Sequence, residues 1–535
     1  MRSLALSLWI VAIAAARILS TYPQIGITFD EPAHLLCGIQ YLSQHEYTIE
    51  PQHPPLARVA ASLGPYLAGV RPTGDSGVPE GVAEFYQDGH VGRHLVLDRM
   101  GILPFFLLAC VTVFFWTRHH FGDGTAVLAT AIFTLFPSIL AHSGLGTTDM
   151  PLTACLGAAF LCLIAWAERP GRRRGAVLGL AAGLAVLSKF TALLYLPASA
   201  ALALAAWLAV SRPHPRALPK LVRERWSSLA VAAGVASLTV WAGYRFSFGP
   251  VTDWPVSLPA PELFSGLEQV WFHNEAGHTA WFLGEYSSEG WWYFFPLMLL
   301  LKAPLGLIAL AAAGLPAVWK RRGEARVWLP LALMGGTLIP AMAGRISIGT
   351  RHVLPVYLGL AILGALGAES LFRRRGTRWV PAVLIAWAAV SGALHHPDYI
   401  SYFNELAPHP ENIVADSDLD WGQGSVLLAK RFRRLGVPEA TCSFWNISNE
   451  QLRVWPGLNC RPLLPQPVTG WIAVSPTEWR IGNYGYGDGF AGNRLWFADW
   501  KPVARIGGQL LYYNPPPPGR GSAVAAIPRG GRGRP

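Results

Sequence analysis

Two adjacent carboxylates, Asp30 and Glu31, stand in the run Thr28-Phe29-Asp30-Glu31-Pro32-Ala33-His34, directly after the first apolar block of the chain. At the edge of a membrane, burial and mutual repulsion raise one carboxyl of such a pair toward neutrality, which suits a general base. The same two acids in the first turn of a helix would also complement its dipole. A third carboxylate, Asp149, lies in Gly146-Thr147-Thr148-Asp149-Met150-Pro151, where its plainer use is a helix N-cap with Pro two positions on. Cations accompany these acids: Lys189 in Leu187-Ser188-Lys189-Phe190, Arg345, Arg351 and His352 in Gly349-Thr350-Arg351-His352-Val353-Leu354-Pro355, and Lys302 in Leu301-Lys302-Ala303-Pro304-Leu305. A cation at a helix mouth suits a phosphate group, with snorkelling toward headgroups as the alternative.

The run Trp271-Phe272-His273-Asn274-Glu275-Ala276-Gly277-His278, followed by Gly284-Glu285-Tyr286, is rich in aromatics, as sugar sites and membrane-interface belts both are. His273, Glu275 and His278 are metal-ligand types, but their spacing is not the HExxH pattern. Asn446-Ile447-Ser448 matches the N-glycosylation triplet. No Walker-type loop or GxSxG elbow occurs in a fitting strand-to-helix context, which argues against an ATP-driven pump or a serine hydrolase.

These residues must be positioned by a chain of 535 residues that is 52% hydrophobic and only 14% charged, a balance that points away from a soluble globule. Its apolar residues fall into blocks of roughly 17 to 25, the length that crosses a bilayer as helix. The first runs from Ser3 to about Ser20 and is expected to be retained, since no small-x-small cleavage site follows and Arg17 suits a signal peptide poorly. Ten more lie at about 99 to 116, 125 to 141, 150 to 167, 175 to 187, 190 to 208, 226 to 243, 293 to 318, 327 to 343, 352 to 372 and 378 to 394, the break near Lys189 being the least distinct.

The net charge of +11 resides in short clusters between these blocks, not in a basic domain, so it orients a membrane protein and implies no nucleic-acid partner. Arg118; Arg169 with Arg172, Arg173 and Arg174; Arg212 to Arg225; Lys320, Arg321, Arg322 and Arg326; and Arg373, Arg374, Arg375 and Arg378 all fall on the side of the N-terminus. That side is predicted to be cytoplasmic. The long loops 21 to 98 and 244 to 290, and everything after 395, are then extracytoplasmic.

The chain therefore reads as a polytopic α-helical membrane domain over 1–394, a small α/β extracytoplasmic domain over 395–514 and a disordered Pro/Gly/Arg-rich tail over 515–535. Strand-like runs cover Ala440 to Ile447, Trp471 to Val474 and Gln509 to Tyr513, and a helical run covers Ser425 to Leu435. Cys110, Cys155 and Cys162 sit in apolar blocks, whereas Cys442 and Cys460 could close a disulfide loop in an oxidising compartment.

In their order along the chain, the carboxylate pair, His53-Pro54-Pro55-Leu56, Thr148-Asp149, the Lys189 segment, Gly277-His278 to Gly284-Glu285, Gly290 to Pro296, Lys302-Ala303-Pro304, Arg351 to Pro355 and Asp416-Ser417-Asp418-Leu419-Asp420-Trp421-Gly422-Gln423 resemble GT-C glycosyltransferases of the protein O-mannosyltransferase and aminoarabinose transferase type. The resemblance implies a bundle of about eleven to thirteen spans in a bacterial inner membrane, with amphipathic helices such as Pro55 to Val70 in the first outer loop. It implies a sugar donor on polyprenyl phosphate, an inverting transfer and an extracytoplasmic acceptor. Asp30 would be the general base, Glu31 its neighbour that positions the acceptor or tunes it, and Asp149 a secondary site residue. Lys189, Arg351, His352 and, more weakly, Lys302 would hold the donor phosphate. His53, His278, Glu285, Asp420 and Trp421 would touch sugar or acceptor. No cofactor is demanded, although members differ in the use of a divalent metal. A transporter or lipid-linked-sugar flippase, and a non-catalytic scaffold, are the rival readings. A transporter predicts a midplane site, whereas the charges here gather at one boundary.

Overall fold

The computed structural model describes residues 2–73, 78–86, 88–251, 254–444, 455, 457–464, 466–481, 495–497 and 499–515. All eleven apolar blocks are helical: Arg2–Thr21; Val91–Met100 running into Leu103–Phe121; Asp123–Phe133 with Pro137–His142; Asp149–Glu168; Arg172–Ser188; Ala192–Ser211; Leu218–Gly243; Phe294–Lys302 with Leu305–Lys320; Leu329–Met342; Val356–Phe372; and Val380–Leu394. Among the described residues six helices are long and apolar enough to cross a membrane, and the pair Phe294–Lys302 and Leu305–Lys320, bent by 116°, would make a seventh. The chain is a multi-pass membrane protein. Leu4, Leu8, Trp9 and Ile13 on the first helix and Leu193, Leu194 and Leu204 on the sixth block stand exposed, which water would penalise and hydrocarbon does not.

Helix Val356–Phe372 is apolar all round and buried along most of its length, so it forms the centre of the bundle. Close backbone approach, not large side chains, brings its neighbours together. The stripe Gly175, Gly179 and Gly183 does the same for helix Arg172–Ser188 against Leu218–Gly243: a Cβ on Gly179 would lie 2.2 Å from the carbonyl oxygen of Ala232. Small residues four apart are the usual means of such packing in lipid, where no hydrophobic force pushes helices together.

Above one end of the bundle the first loop folds into helices Glu31–Ser43, Pro55–Leu67 and Val78–Tyr86. The helix expected over Pro55 to Val70 thus ends three residues early, with Ala68 as its C-cap. A three-stranded antiparallel sheet follows the order Glu285–Ser287, Ala280–Phe282, Val414–Ala415, joining the long loop 244 to 290 to the segment after the last span.

That segment departs from the sequence reading. Tyr399, Ile400, Phe403, Ala407, Val414, Leu419 and Trp421 belong to the same core as the spanning helices, and Asn404 Nδ2 donates to the carbonyls of Leu300 and Ala303 at 2.6 and 2.8 Å. The helix break before Pro304 leaves those carbonyls free, and Asn404 caps them. A boundary at 394/395 therefore cuts through the larger body. The separate unit begins with helix Ser425–Leu435, whose Leu428, Ala429 and Phe432 cover one face of a five-stranded mixed sheet ordered Cys460–Pro462, Ala440–Ser443, Gly470–Val474, Gln509–Asn514, Ala504–Ile506. Ala473 and Leu511 point to that helix, while Ile472, Val474, Leu510 and Tyr512 point to the opposite face, the period of two expected of a sheet covered on both sides. Cys442 and Cys460, on adjacent parallel strands, are disulfide-bonded. The Asn446 triplet and the tail beyond Pro515 lie outside the described residues.

Replacing Gly179 by Val should separate two helices and cost about 1–3 kcal/mol, read as a lower melting temperature in detergent. Gly234→Ala on the facing helix, where an added Cβ meets nothing within 4 Å, should leave it unchanged or raise it.

Candidate functional site

The site begins where the first span ends. Gly26 N donates to Gln423 O at 2.8 Å and Phe29 N to Trp421 O at 3.0 Å, so the loop after the first helix runs along the segment after the last. Only glycine fits at position 26, since a Cβ there would stand 1.9 Å from Ser425 Oγ. Helix Glu31–Ser43 then starts with Pro32 in its first turn, a favoured place for proline.

At that start Asp30 and Glu31 diverge. Glu31 is fully buried against an equally buried Arg99, whose Nε and Nη2 donate to its two oxygens at 2.7 and 2.8 Å. The same carboxylate accepts the amides of Thr28 at 2.8 Å and Gly146 at 3.0 Å. Arg99 spends its remaining donors on the carbonyls of Tyr22, Ile25 and Gly26. Glu31 therefore does not line the cavity described next. It knots three loops together, and every lone pair and proton of the pair is used, the condition under which a buried ion pair is tolerated.

Asp30 lines a cavity of about 350 Å³ at this end of the bundle. Its Oδ2 accepts Arg351 Nη1 at 2.6 Å, across 321 residues of sequence. The Arg351 guanidinium lies 4.0 Å from the centroid of the Trp421 ring, a cation–π contact that holds its plane. Also on the lining, helix Arg172–Ser188 stops and Lys189 is extended before the next helix at Ala192, so the indistinct break in the sequence is a real one. Lys189 Nζ reaches Asp149 Oδ1 at 2.6 Å, with both side chains nearly buried. Lys189 and Thr148 line the cavity, while Asp149 stands behind Lys189.

His53, His278, His352, Asp420 and Trp421 line it as well. Besides Glu31 and Asp149, two expected residues do not. Glu285 is exposed on its short strand. Lys302 is buried away from the cavity, its Nζ donating to the carbonyls of Ile400 and Asp418, 3.9 Å from the Asp418 carboxylate and 4.5 Å from the Phe403 ring centroid. The break before Pro304 aims it under the 398–421 segment, which it pins. His273 and His278 have ring centroids 6.0 Å apart, and Glu275 sits by Arg345 on the surface, so those three do not converge on an ion.

The first loop supplies residues that motif spacing did not single out. Arg58, on the buried face of Pro55–Leu67, donates its Nε to His34 Nδ1 at 2.9 Å and pairs with Glu50; His34, Glu50, Gln52 and Arg58 all line the cavity. An arginine on the apolar side of an amphipathic helix was the available signal. Burial holds both His34 and His53 neutral, pushing His53 down to about 4 with help from the charge of Lys189. On the far wall burial raises Asp416 above the usual carboxylate range and carries Asp420 to about 7. Asp416 accepts Gly349 N at 2.9 Å and Asp418 accepts Thr350 N at 2.7 Å and Oγ1 at 3.0 Å, so this acidic run carries the turn that presents Arg351.

Several buried polar atoms on the lining have no partner: Arg351 Nε, His352 Nε2, Thr191 Oγ1, Ser417 Oγ and Glu50 Oε1. Buried donors and acceptors are seldom left unmet in a finished structure. Arginine, hydroxyl and imidazole donors grouped this way suit an anionic oxygen; the unmet carboxylate oxygen suits a hydroxyl.

Residues 7–241, less than half of the chain, match the family model described as dolichyl-phosphate-mannose-protein mannosyltransferase. No curated protein matches the chain in sequence. Among solved structures, ArnT from Cupriavidus metallidurans bound to undecaprenyl phosphate is similar at 12% identity and TM-score 0.51 over 94% of this chain and 97% of ArnT. AglB from Archaeoglobus fulgidus, in complex with an inhibitory peptide and a dolichol-phosphate, is 13% identical with TM-score 0.46 over 93% of this chain and 72% of AglB. The S. cerevisiae Pmt1-Pmt2 complex bound to the sugar donor is 18% identical with TM-score 0.36 over 46% of this chain and 33% of its own. The likeness to ArnT bears out the GT-C membrane fold expected from the sequence.

Removing Glu31 as Glu31→Ala strands a fully buried Arg99 charge and should cost about 3–5 kcal/mol. Asp30→Asn, at a partly open position, should change stability by no more than about 1 kcal/mol. Thermal unfolding of both variants in one detergent checks the contrast between these neighbours.

Proposed function

We propose that this chain, a membrane glycosyltransferase of the GT-C type, moves a sugar from a polyprenyl-phosphate donor to an acceptor hydroxyl at the extracytoplasmic face. The observation that carries this reading is the gathering of Asp30, Lys189, Arg351 and His352, from loops far apart in sequence, around one cavity with unmet donors.

The acceptor oxygen attacks the anomeric carbon as the bond from that carbon to the phosphate oxygen breaks, with inversion; the acceptor proton passes to Asp30 and the pair of electrons leaves with the phosphate. The leaving phosphate is already stable, so positioning and charge neutralisation account for most of the catalysis. Arg351 links the two halves of the reaction. Its Nη1 holds Asp30 in place, and its unmet Nε faces the same space as His352 Nε2 and Thr191 Oγ1, where the phosphate oxygens would sit. Lys189 adds charge from the opposite wall, its own position fixed by Asp149. Glu50, Gln52, His34 and His53 form the uncharged or paired wall suited to sugar hydroxyls, and His278, Asp420 and Trp421 face them.

An N-terminus in the cytoplasm and a C-terminal domain outside complete the proposal. The placement of the basic clusters supports it, as does the Cys442–Cys460 disulfide, since such bonds persist in oxidising compartments. Alkaline phosphatase fused after Asn514 is expected to be active and, fused after Arg174, inactive; the reverse pattern would invert the orientation.

Purified protein in lipid, offered radiolabelled polyprenyl-phosphate sugars and cell-envelope acceptors, should transfer label. Asp30→Asn should lower the rate by about 10²–10⁴-fold with donor binding retained, whereas Arg351→Gln should weaken donor binding as well. Absence of both transfer and donor binding with every donor would defeat the reading.

A further inference from the structure

At the end of the bundle away from the cavity, three side chains that the transfer chemistry does not use stand together. Helix Leu103–Phe121 ends in His119 and His120, and helix Asp149–Glu168 ends in Glu168. Glu168 is nineteen residues along its helix from Asp149, roughly 28 Å at 1.5 Å per residue. One ligand atom from each of the three lies within 4.8 Å of the others.

The spacing is informative. His119 Nε2 is 2.9 Å from Glu168 Oε2, and His120 Nδ1 is 3.9 Å from Glu168 Oε1. Two ligands of a tetrahedral zinc ion, bound at about 2.0–2.1 Å, are separated by roughly 3.4 Å. The His119–Glu168 distance is slightly short of that and the His120–Glu168 distance slightly long, with all three ligand atoms within 4.8 Å of one another, so small side-chain rotations bring them onto one ion. His120 supplies the independent observation. Its side chain is 4% exposed, and its Nε2 is buried without any hydrogen-bond partner. The ring nitrogen nearer Glu168 is Nδ1, at 3.9 Å, too far for a hydrogen bond, so the carboxylate satisfies neither nitrogen of this buried imidazole.

The neighbouring cations do not oppose a metal strongly, because they are already engaged. Arg118 donates to Asp123 at 2.7 Å, Arg321 pairs with Glu324, and Arg326 binds Glu324 and the carbonyl oxygen of His120. Two neutral imidazoles and one carboxylate form a donor set preferred by zinc and related transition ions over magnesium or calcium, which favour all-oxygen sites.

We infer that His119, His120 and Glu168 form a three-ligand site for a divalent transition metal, zinc in the first instance, which clips the ends of two spanning helices together opposite the catalytic cavity. A water molecule would fill the fourth position. The ion bridges elements and is not a participant in the transfer reaction.

Tag-free, chelator-stripped protein in lipid nanodiscs is titrated with zinc chloride by calorimetry, and its melting temperature is followed with and without zinc. The wild type should show a saturable site and a zinc-dependent rise in melting temperature, as binding to the folded state alone requires. His119→Ala, at an exposed position, should unfold like the metal-free wild type yet bind at this site at least tenfold more weakly and lose the zinc-dependent rise. Glu168→Gln should behave likewise. The histidines of the cavity remain in both variants, so the difference isolates this cluster. Isotherms of His119→Ala and Glu168→Gln that match the wild type, or a wild type that binds no zinc, would overturn the assignment.

Discussion

A charge taken out of water beside a lipid bilayer persists only when it is paired and its hydrogen-bonding capacity is met. The end of the bundle that holds the cavity is organised by that constraint. Besides Glu50 with Arg58 inside the first loop, four pairs among the described residues there link separate segments: Glu31 with Arg99, Asp149 with Lys189, Asp30 with Arg351, and Asp418 with Lys302. Each joins loops that the spanning helices alone would leave independent. The Glu31–Arg99 pair is the most closed of the four, and it fixes the turn after the first span against the loop before Asp149. The position of the cavity follows from that knot.

The contrast between Asp30 and Glu31 shows how a closed pair supports an open one. Successive side chains at a helix start diverge by about 100°, so one carboxylate turns into the protein while the other turns to the cavity. Glu31 takes two guanidinium donors and two backbone amides. Asp30 takes a single Arg351 nitrogen and keeps acceptor capacity on the cavity side. Immobilising the first residue orients the second, because a rigid support is what holds a reacting group in place.

Much of the scaffold was legible in the sequence because it is set locally. Apolar block length, loop charge, the helix over Ser425 to Leu435 and the strands at Trp471 and Gln509 need no knowledge of distant neighbours. Residues that line the cavity were legible as well, among them Asp30, Lys189, Arg351 and His352. Partnership was not. Lys302 and Lys189 look alike in the chain, yet one spends its protons on the carbonyls of Ile400 and Asp418 and the other faces the cavity. Arg99, Arg58 and His34 escaped notice because their roles arise only when the 22–31, 50–58 and 146 regions meet. The alternation of polar and apolar residues over 395–421 reads as the start of a separate domain; its apolar positions pack on the bundle instead, since Asn404 and Lys302 lock that segment to the broken helix.

The Asp416 to Gln423 segment then has a mechanical meaning that its acidity alone conceals. Asp416 and Asp418 hold the turn bearing Arg351, Trp421 stacks on that arginine, and Gln423 binds the first loop through its carbonyl. At its far end Gly424 lies so close to Gly507 that a Cβ would stand 2.3 Å from the Gly507 carbonyl oxygen, coupling the segment to the C-terminal sheet. One strip therefore touches Phe29 beside Asp30, Arg351 and the C-terminal sheet at once. A domain attached in this way cannot shift without moving Arg351, so the outer domain bears on the geometry of the transfer site through packing, with no catalytic group of its own required.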